Sequence, residues 1–334
     1  MRALVFIILF IIPIASFSQK EEKTKKEKDK VYVEKIKALF SFRPFVQQNI
    51  DLFTFRPKDA SAPTVLYRPA TGLNIGGSVA FKFLSFSYQR NIPVFQPFVP
   101  ADFEAKHQRI GFDLGGNMFG LGFDFQQNNG FYIWNSSDIQ DSLISDPNSV
   151  IYREDIQSRT IGTNLRFTFS NKLSHNALFD QSQRQKRSKG ALTLMVGNRF
   201  HGFKAVSPFV TPDQFSAYSG TEEVNRLWIN TTNVMPGYGY IAVKNYWNVG
   251  LFAYVGSGLQ IRKHFTAMDE GLGVRFPFMS KLKTGISYNG KFFYAKLFAM
   301  ADYMTTGFRD AKIGWLQTSW EFSIGIRLYG KKDK

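Results

Sequence analysis

The chain has no cysteine among its 334 residues. Disulfides, thiolate metal sites, a cysteine nucleophile and a lipidated N-terminal cysteine are therefore excluded. Histidine is scarce: His107, His175, His201 and His264 stand in no HExxH spacing, and no GxSxG elbow occurs. The nearest approach to a wall-mounted hydroxyl and histidine pair is His264 with Thr266. Beyond the first residues no stretch approaches the roughly 18 consecutive apolar residues of a spanning helix, and helical periodicity is nearly absent.

Residues 1–18 carry one arginine, an apolar run from Ala3 to Ile14, and small or polar residues ending in Ser18. This predicts a secretory signal peptide and an exported chain. Residues 19–35 are expected to be a charged flexible linker, because KEEKTKKEKDK (20–30) offers no apolar side chain to offset the entropy of ordering. The formal charge of +16 could suit nucleic acid, but no nucleic-acid motif is present and none is expected as a partner. Outer-membrane lipid and lipopolysaccharide are the expected counter-charges.

What the chain has in abundance is alternation. From Leu316 to Leu328 the even positions are Leu, Thr, Trp, Phe, Ile, Ile and Leu, while the odd positions are Gln, Ser, Glu, Ser, Gly and Arg. About twelve segments show this period of two: 42–56, 64–83, 84–91, 107–117, 120–134, 157–170, 190–203, 229–243, 246–262, 273–288, 291–305 and 312–329. Their polar faces are rich in Gly, Ser, Asn and Gln with few charges, and many exceed the strand length usual in soluble sheets. The pattern predicts an all-β fold: a closed antiparallel transmembrane barrel of about 12 strands, within a range of 10 to 14, occupying 36–330 and followed by a charged tail, 331–334. Trp320, Phe322, Ile324 and Ile326 are placed facing lipid. Tight connections at 82–85, 117–120, 244–247 and 288–291 alternate with long ones, as periplasmic turns and external loops do.

One connection on the tight side is long. Residues 171–189 carry Phe179 with Arg184, Lys186, Arg187 and Lys189, and are expected to form a short amphipathic helix at the periplasmic mouth. The segment would either plug the lumen or bind a periplasmic or outer-membrane protein partner or anionic groups. On the lumen side, two-residue turns would set Asp113 opposite Asp124 and Lys283 opposite Lys296. Arg166, Arg262 or Arg327 reaching the aspartates and Glu321 reaching a lysine would neutralise these pairs; a cation or proton-linked site at the aspartates is the alternative. No cofactor or metal is expected.

Four stretches, LYRPATGLNIGGSVAFKFLSFSY (66–88), GFDLGGNMFGLGFDFQQNNGFYI (111–133), FSNKLSHNALFDQSQRQKRSKGAL (169–192) and PGYGYIAVKNYWNVGLFAYVGSGLQ (236–260), resemble the outer-membrane proteins grouped as domain of unknown function 4421. Ala70 departs from the Asn in that family's pattern. The resemblance implies an outer-membrane barrel and no stated activity. The functional expectation is a non-enzymatic structural or assembly-associated envelope component with a filled lumen. A narrow channel for small polar solutes and a barrel hydrolase acting on lipid or peptide are the alternatives.

Overall fold

The computed structural model describes residues 31–57, 63–92, 103, 105–136, 150–210, 223–266, 270–308 and 311–330. The signal peptide, most of the linker and the tail expected from the sequence lie outside these residues. In chain order the strands are β1 (Val33–Lys35), β2 (Phe40–Pro57), β3 (Val65–Pro69), β4 (Leu73–Phe81), β5 (Leu84–Asn91), β6 (Lys106–Gly115), β7 (Phe119–Ile133) and β8 (Tyr152–Thr168). One helical turn, α1 (His175–Leu178), precedes β9 (Gln183–Gln185), β10 (Lys189–Lys204), β11 (Arg226–Lys244) and β12 (Trp247–Phe265). The last four are β13 (Glu270–Arg275), β14 (Phe278–Asn289), β15 (Phe293–Phe308) and β16 (Ala311–Leu328).

Twelve of these strands pair antiparallel with their neighbours along the chain, and β16 pairs with β2 to close the ring. Closure leaves no sheet edge to solvate, which is the condition for a sheet to cross a bilayer. The faces sort by parity. Trp320, Phe322, Ile324 and Ile326 point outward and are 39–56% exposed, whereas Glu321, Ser323 and Arg327 between them are buried in the lumen. The same division runs along β12, where Val249, Val255, Leu259 and Ile261 face out and Asn248, Phe252, Tyr254, Gln260 and Arg262 face in. A wall apolar outside and polar inside is the reverse of a soluble sheet's arrangement. The chain is a transmembrane β-barrel of the outer-membrane type.

Two segments expected as single strands are broken. Residues 64–83 divide into β3 and β4 after Pro69, and 273–288 divide into β13 and β14 before Pro277. Proline supplies no N–H to a ladder, so each break falls where pairing would otherwise lose a bond. The first break changes the barrel's shape. At the end away from the tight turns, β3 pairs with β2 through Phe53↔Tyr67 and with β7 through Tyr67↔Ile133. It thus bridges two strands that β4, β5 and β6 separate lower down, and the ring contracts there.

Tight turns close the other end. The Asn245–Tyr246 turn follows the Lys244↔Trp247 pair, as the sequence suggests. Lys82 and Asn245 take φ of 53° and 56° at the first turn position, the left-handed conformation that two-residue hairpins require.

Candidate functional site: the closed lumen

The connection from β8 to β10 folds back inside the ring. Ser174 starts α1: its hydroxyl accepts from the Ala177 N–H at 3.0 Å. Gln181, at φ 55°, ends the turn and sends the chain back toward the rim. The expected amphipathic helix is thus a single turn followed by a short strand, because polar side chains on both sides satisfy the backbone that a longer helix would have satisfied itself. Gln185 accepts from the Ser174 N–H at 2.9 Å and donates to the carbonyls of Lys172 and Arg187. β9 pairs antiparallel with β1, so part of the stretch expected as linker is an ordered strand attached to the plug.

Apolar and basic residues of this segment separate. Leu178 and Phe179 are buried, and the Phe179 ring packs against Phe252 at 5.5 Å and Phe298 at 5.2 Å between centroids. Arg184, Lys186 and Arg187 stay at the rim: Arg184 lies over the Tyr246 ring at 4.1 Å, Lys186 pairs with Glu34 at 3.1 Å, and Arg187 lies 5.9 Å from the Tyr32 ring. Lys189 opens β10.

The barrel wall holds the plug through its carbonyls. Lys296 Nζ and Arg43 Nη1 donate to the Phe179 carbonyl at 2.8 and 3.0 Å. Asn289 donates to the carbonyls of Ala177 and Gln183 at 3.1 and 2.8 Å. Arg327 donates to Gln181 O at 2.5 Å and Asn289 Oδ1 at 2.7 Å, and also to Gly290 O. Arg166 donates to His175 Nδ1 at 2.5 Å and to Asn176 Oδ1 at 3.0 Å.

The contracted end is closed by aromatic packing. Phe53 stacks on Phe203 at 4.1 Å and Phe55 on Phe209 at 5.7 Å, with Trp315 against Phe203 at 5.1 Å. Phe209 comes from the stretch after β10, which turns inward and is clamped there. Arg153 donates to the carbonyls of Ser207 and Pro208, Asp155 accepts from the N–H groups of Val206 and Ser207, and the Tyr67 hydroxyl donates to Phe209 O.

Between the two closures lies a polar belt. His107 is bonded to Asn128 at 2.6 Å and Gln89 at 3.0 Å, while Gln126 links Asp51 and Gln317. Below it the described residues line a cavity of about 190 Å³, with His175, Asn176, Phe179 and Asp180 of the plug among its lining.

The charge pairs expected from the sequence are not formed. The β6–β7 turn closes at Asn117–Met118, with the Gly116 N–H donating to Phe119 O, so Asp113 lies opposite Gly122 and Asp124 opposite Gly111. A slip of two positions keeps both aspartates inward and puts glycine where two carboxylates would repel. Likewise the β14–β15 turn closes at Lys291–Phe292, setting Lys283 opposite Met300 and Lys296 opposite Ser287. Asn289 is not the turn residue expected from Asn-Gly, because its side chain is engaged by the plug.

Glu321 meets Lys296 at 2.9 Å, whereas Arg166 and Arg327 bond to the plug and Arg262 bonds to Gly307 O near the contracted end. Aspartate neutralisation falls instead to residues that the sequence reading passed over. Arg199 contacts Asp302 at 2.9 Å and Asp124 at 4.0 Å, and Lys281 contacts Asp302 at 2.8 Å. Strand parity puts all of these inside; Lys281 lies directly opposite Asp302 on the adjacent strands β14 and β15, whereas Arg199 reaches across from β10, and turn chemistry gives neither meeting.

No curated protein matches the chain in sequence. Among solved structures, the outer membrane protease OmpT from Escherichia coli superposes with a TM-score of 0.40 at 9% identity, covering 86% of this chain and 96% of that one. The translocator domain of the autotransporter NalP from Neisseria meningitidis gives 0.36 at 10% identity over 98% and 97%. The toluene transporter TodX from Pseudomonas putida gives 0.31 at 8% identity over 87% and 90%. These scores are low, and the architecture rests on the strand pairing described above. Residues 27–320 match the family model described as a domain of unknown function, DUF4421, and the chain belongs to that family.

Proposed function

We propose that the protein is a non-enzymatic component of the outer membrane, a barrel closed by its own chain, that contacts the rest of the envelope through its basic tight-turn rim. The observation that carries this reading is the double closure: a bonded plug at one end and a packed aromatic cluster at the other. A conducting barrel needs both of these to move, and a substrate-admitting one needs at least one to move. In the usual orientation of such barrels the tight turns face the periplasm. There Arg184, Lys186 and Arg187 would meet the phosphates of outer-membrane lipid or an acidic surface on a periplasmic or outer-membrane protein.

Planar-bilayer recording of the purified full-length barrel tests this reading. It predicts no steady current, and a stable ohmic current would replace it with the narrow-channel reading. Labelling by a serine- or threonine-reactive probe at a single lumen residue would replace it with the hydrolase reading.

A further inference from the structure

The cavity above the plug has a charge imbalance that its own ion pairs do not remove. Three of its lining cations are matched: Arg199 and Lys281 by Asp302 and Asp124, and Lys296 by Glu321. Four more line it with no ion pair among the described residues: Arg43, Arg109, Arg166 and Lys283. Facing them, also without an ion pair, are only Asp113 and Asp180. Four positive charges against two negative leaves an excess of two on the cavity lining inside the ring. Uncompensated charge in such a place is expensive, and water alone does not neutralise it.

Arg43 and Arg166 already donate to the plug, which leaves Arg109 and Lys283 as the lining cations with no hydrogen bond among the described residues. Room is available as well. Gly120 and Gly122 in the wall make way for Arg166, Asn164 and Asp113, into which a Cβ would run. The volume of about 190 Å³ is more than ten times the roughly 10–15 Å³ that one water needs.

We infer that this cavity is a binding site for a small oxyanion carrying two negative charges, held chiefly by Arg109 and Lys283. The shared chemistry is that of a phosphate or a compact dicarboxylate. The Arg109 guanidinium supplies directional donors as well as charge, and Lys283 supplies charge. Because plug residues are among the lining, the ligand's presence ties wall to plug. The inference holds whether or not the barrel conducts.

The test uses the full chain refolded from denaturant in phosphate, in sulfate, in succinate and in chloride at equal ionic strength, then freed of unbound ions by gel filtration. Phosphorus retained by the protein is measured alongside its melting temperature. The site predicts stoichiometric phosphate retention, and a melting temperature raised by phosphate, sulfate or succinate over chloride. Both effects should be lost in Lys283→Met and in Arg109→Gln and kept in Lys204→Met, an exposed position at the far end of β10. Displacement of phosphate by succinate identifies the dicarboxylate as the better form of the same ligand. If either lumen variant fails to fold, the wild-type comparison decides alone. Equal melting temperatures in all four anions, or equal phosphate retention in wild type and Lys283→Met, overturns the inference.

Discussion

Arg327 donates to Oδ1 of Asn289 at 2.7 Å, and the Asn289 amide in turn holds two carbonyls of the plug. A residue of the last strand thereby fixes the orientation of one at the end of β14, and through it the position of a segment more than a hundred residues earlier. Replacing Asn289 by Ala strips both plug carbonyls of its amide and Arg327 Nη2 of one of its two acceptors, the other being Gln181 O. Each buried group left so costs about 1–3 kcal/mol. Amide exchange across 177–185 should accelerate by at least tenfold in Asn289→Ala while the strands stay protected, which hydrogen exchange with mass spectrometry reads directly.

Glu321 and Lys296 form a buried pair at 2.9 Å. Removing one partner strands a charge, so Glu321→Leu should destabilise by about 3–5 kcal/mol, whereas Glu321→Leu with Lys296→Met should recover much of that loss. Denaturant midpoints of the two variants give the comparison. Recovery will be incomplete, since Lys296 also donates to Phe179 O.

His175 lies in the plug rather than in a membrane-crossing strand, and burial, followed by the positive charges of Arg166, Lys283 and Lys296, pushes its pKa well below 6.5. It is neutral when docked, and the undocked segment takes up a proton below about pH 6.5. Its contribution is complete above that value and is lost as the pH falls through it, by up to about 1.4 kcal/mol per pH unit. The protection factor of the plug, which removes the intrinsic slowing of exchange at low pH, should therefore fall between pH 7.5 and pH 5 in the wild type. In His175→Asn that additional steepness should disappear.

Phe203 stacks on Phe53 at 4.1 Å in the aromatic closure. Phe203→Ala should cost about 3–5 kcal/mol. In bilayers it should remain silent, because the plug still seals the other end. Combining it with replacement of 174–188 by a short Gly/Ser turn should give current that neither change gives alone.

Much of this barrel is readable from alternation. The even positions of β16, from Leu316 to Leu328, already assign every side chain to lipid or lumen, since side-chain period in a strand is two and the outer face must be apolar. Register is less legible. Asp113 and Lys283 lie on the expected faces but opposite Gly122 and Met300, because turns one or two residues off slide a ladder without changing its faces. The plug was legible as an anomaly, a long basic connection among tight ones. Its interior path depends on contacts between Gln181, Asn289 and Arg327, which are far apart in sequence. The contraction by β3 had a local cue in Pro69, but its pairing to β7 is a long-range choice.

The central claim is that residues 174–181 sit inside the ring, and the absence of cysteine allows it to be tested cleanly. Ala177→Cys, at a position with no exposure, and Lys186→Cys, at the rim, would be reacted with a membrane-impermeant maleimide on the folded barrel in lipid. The closed-lumen account predicts rapid labelling at 186 and labelling at least a hundredfold slower at 177. Equal rates at the two positions would contradict it.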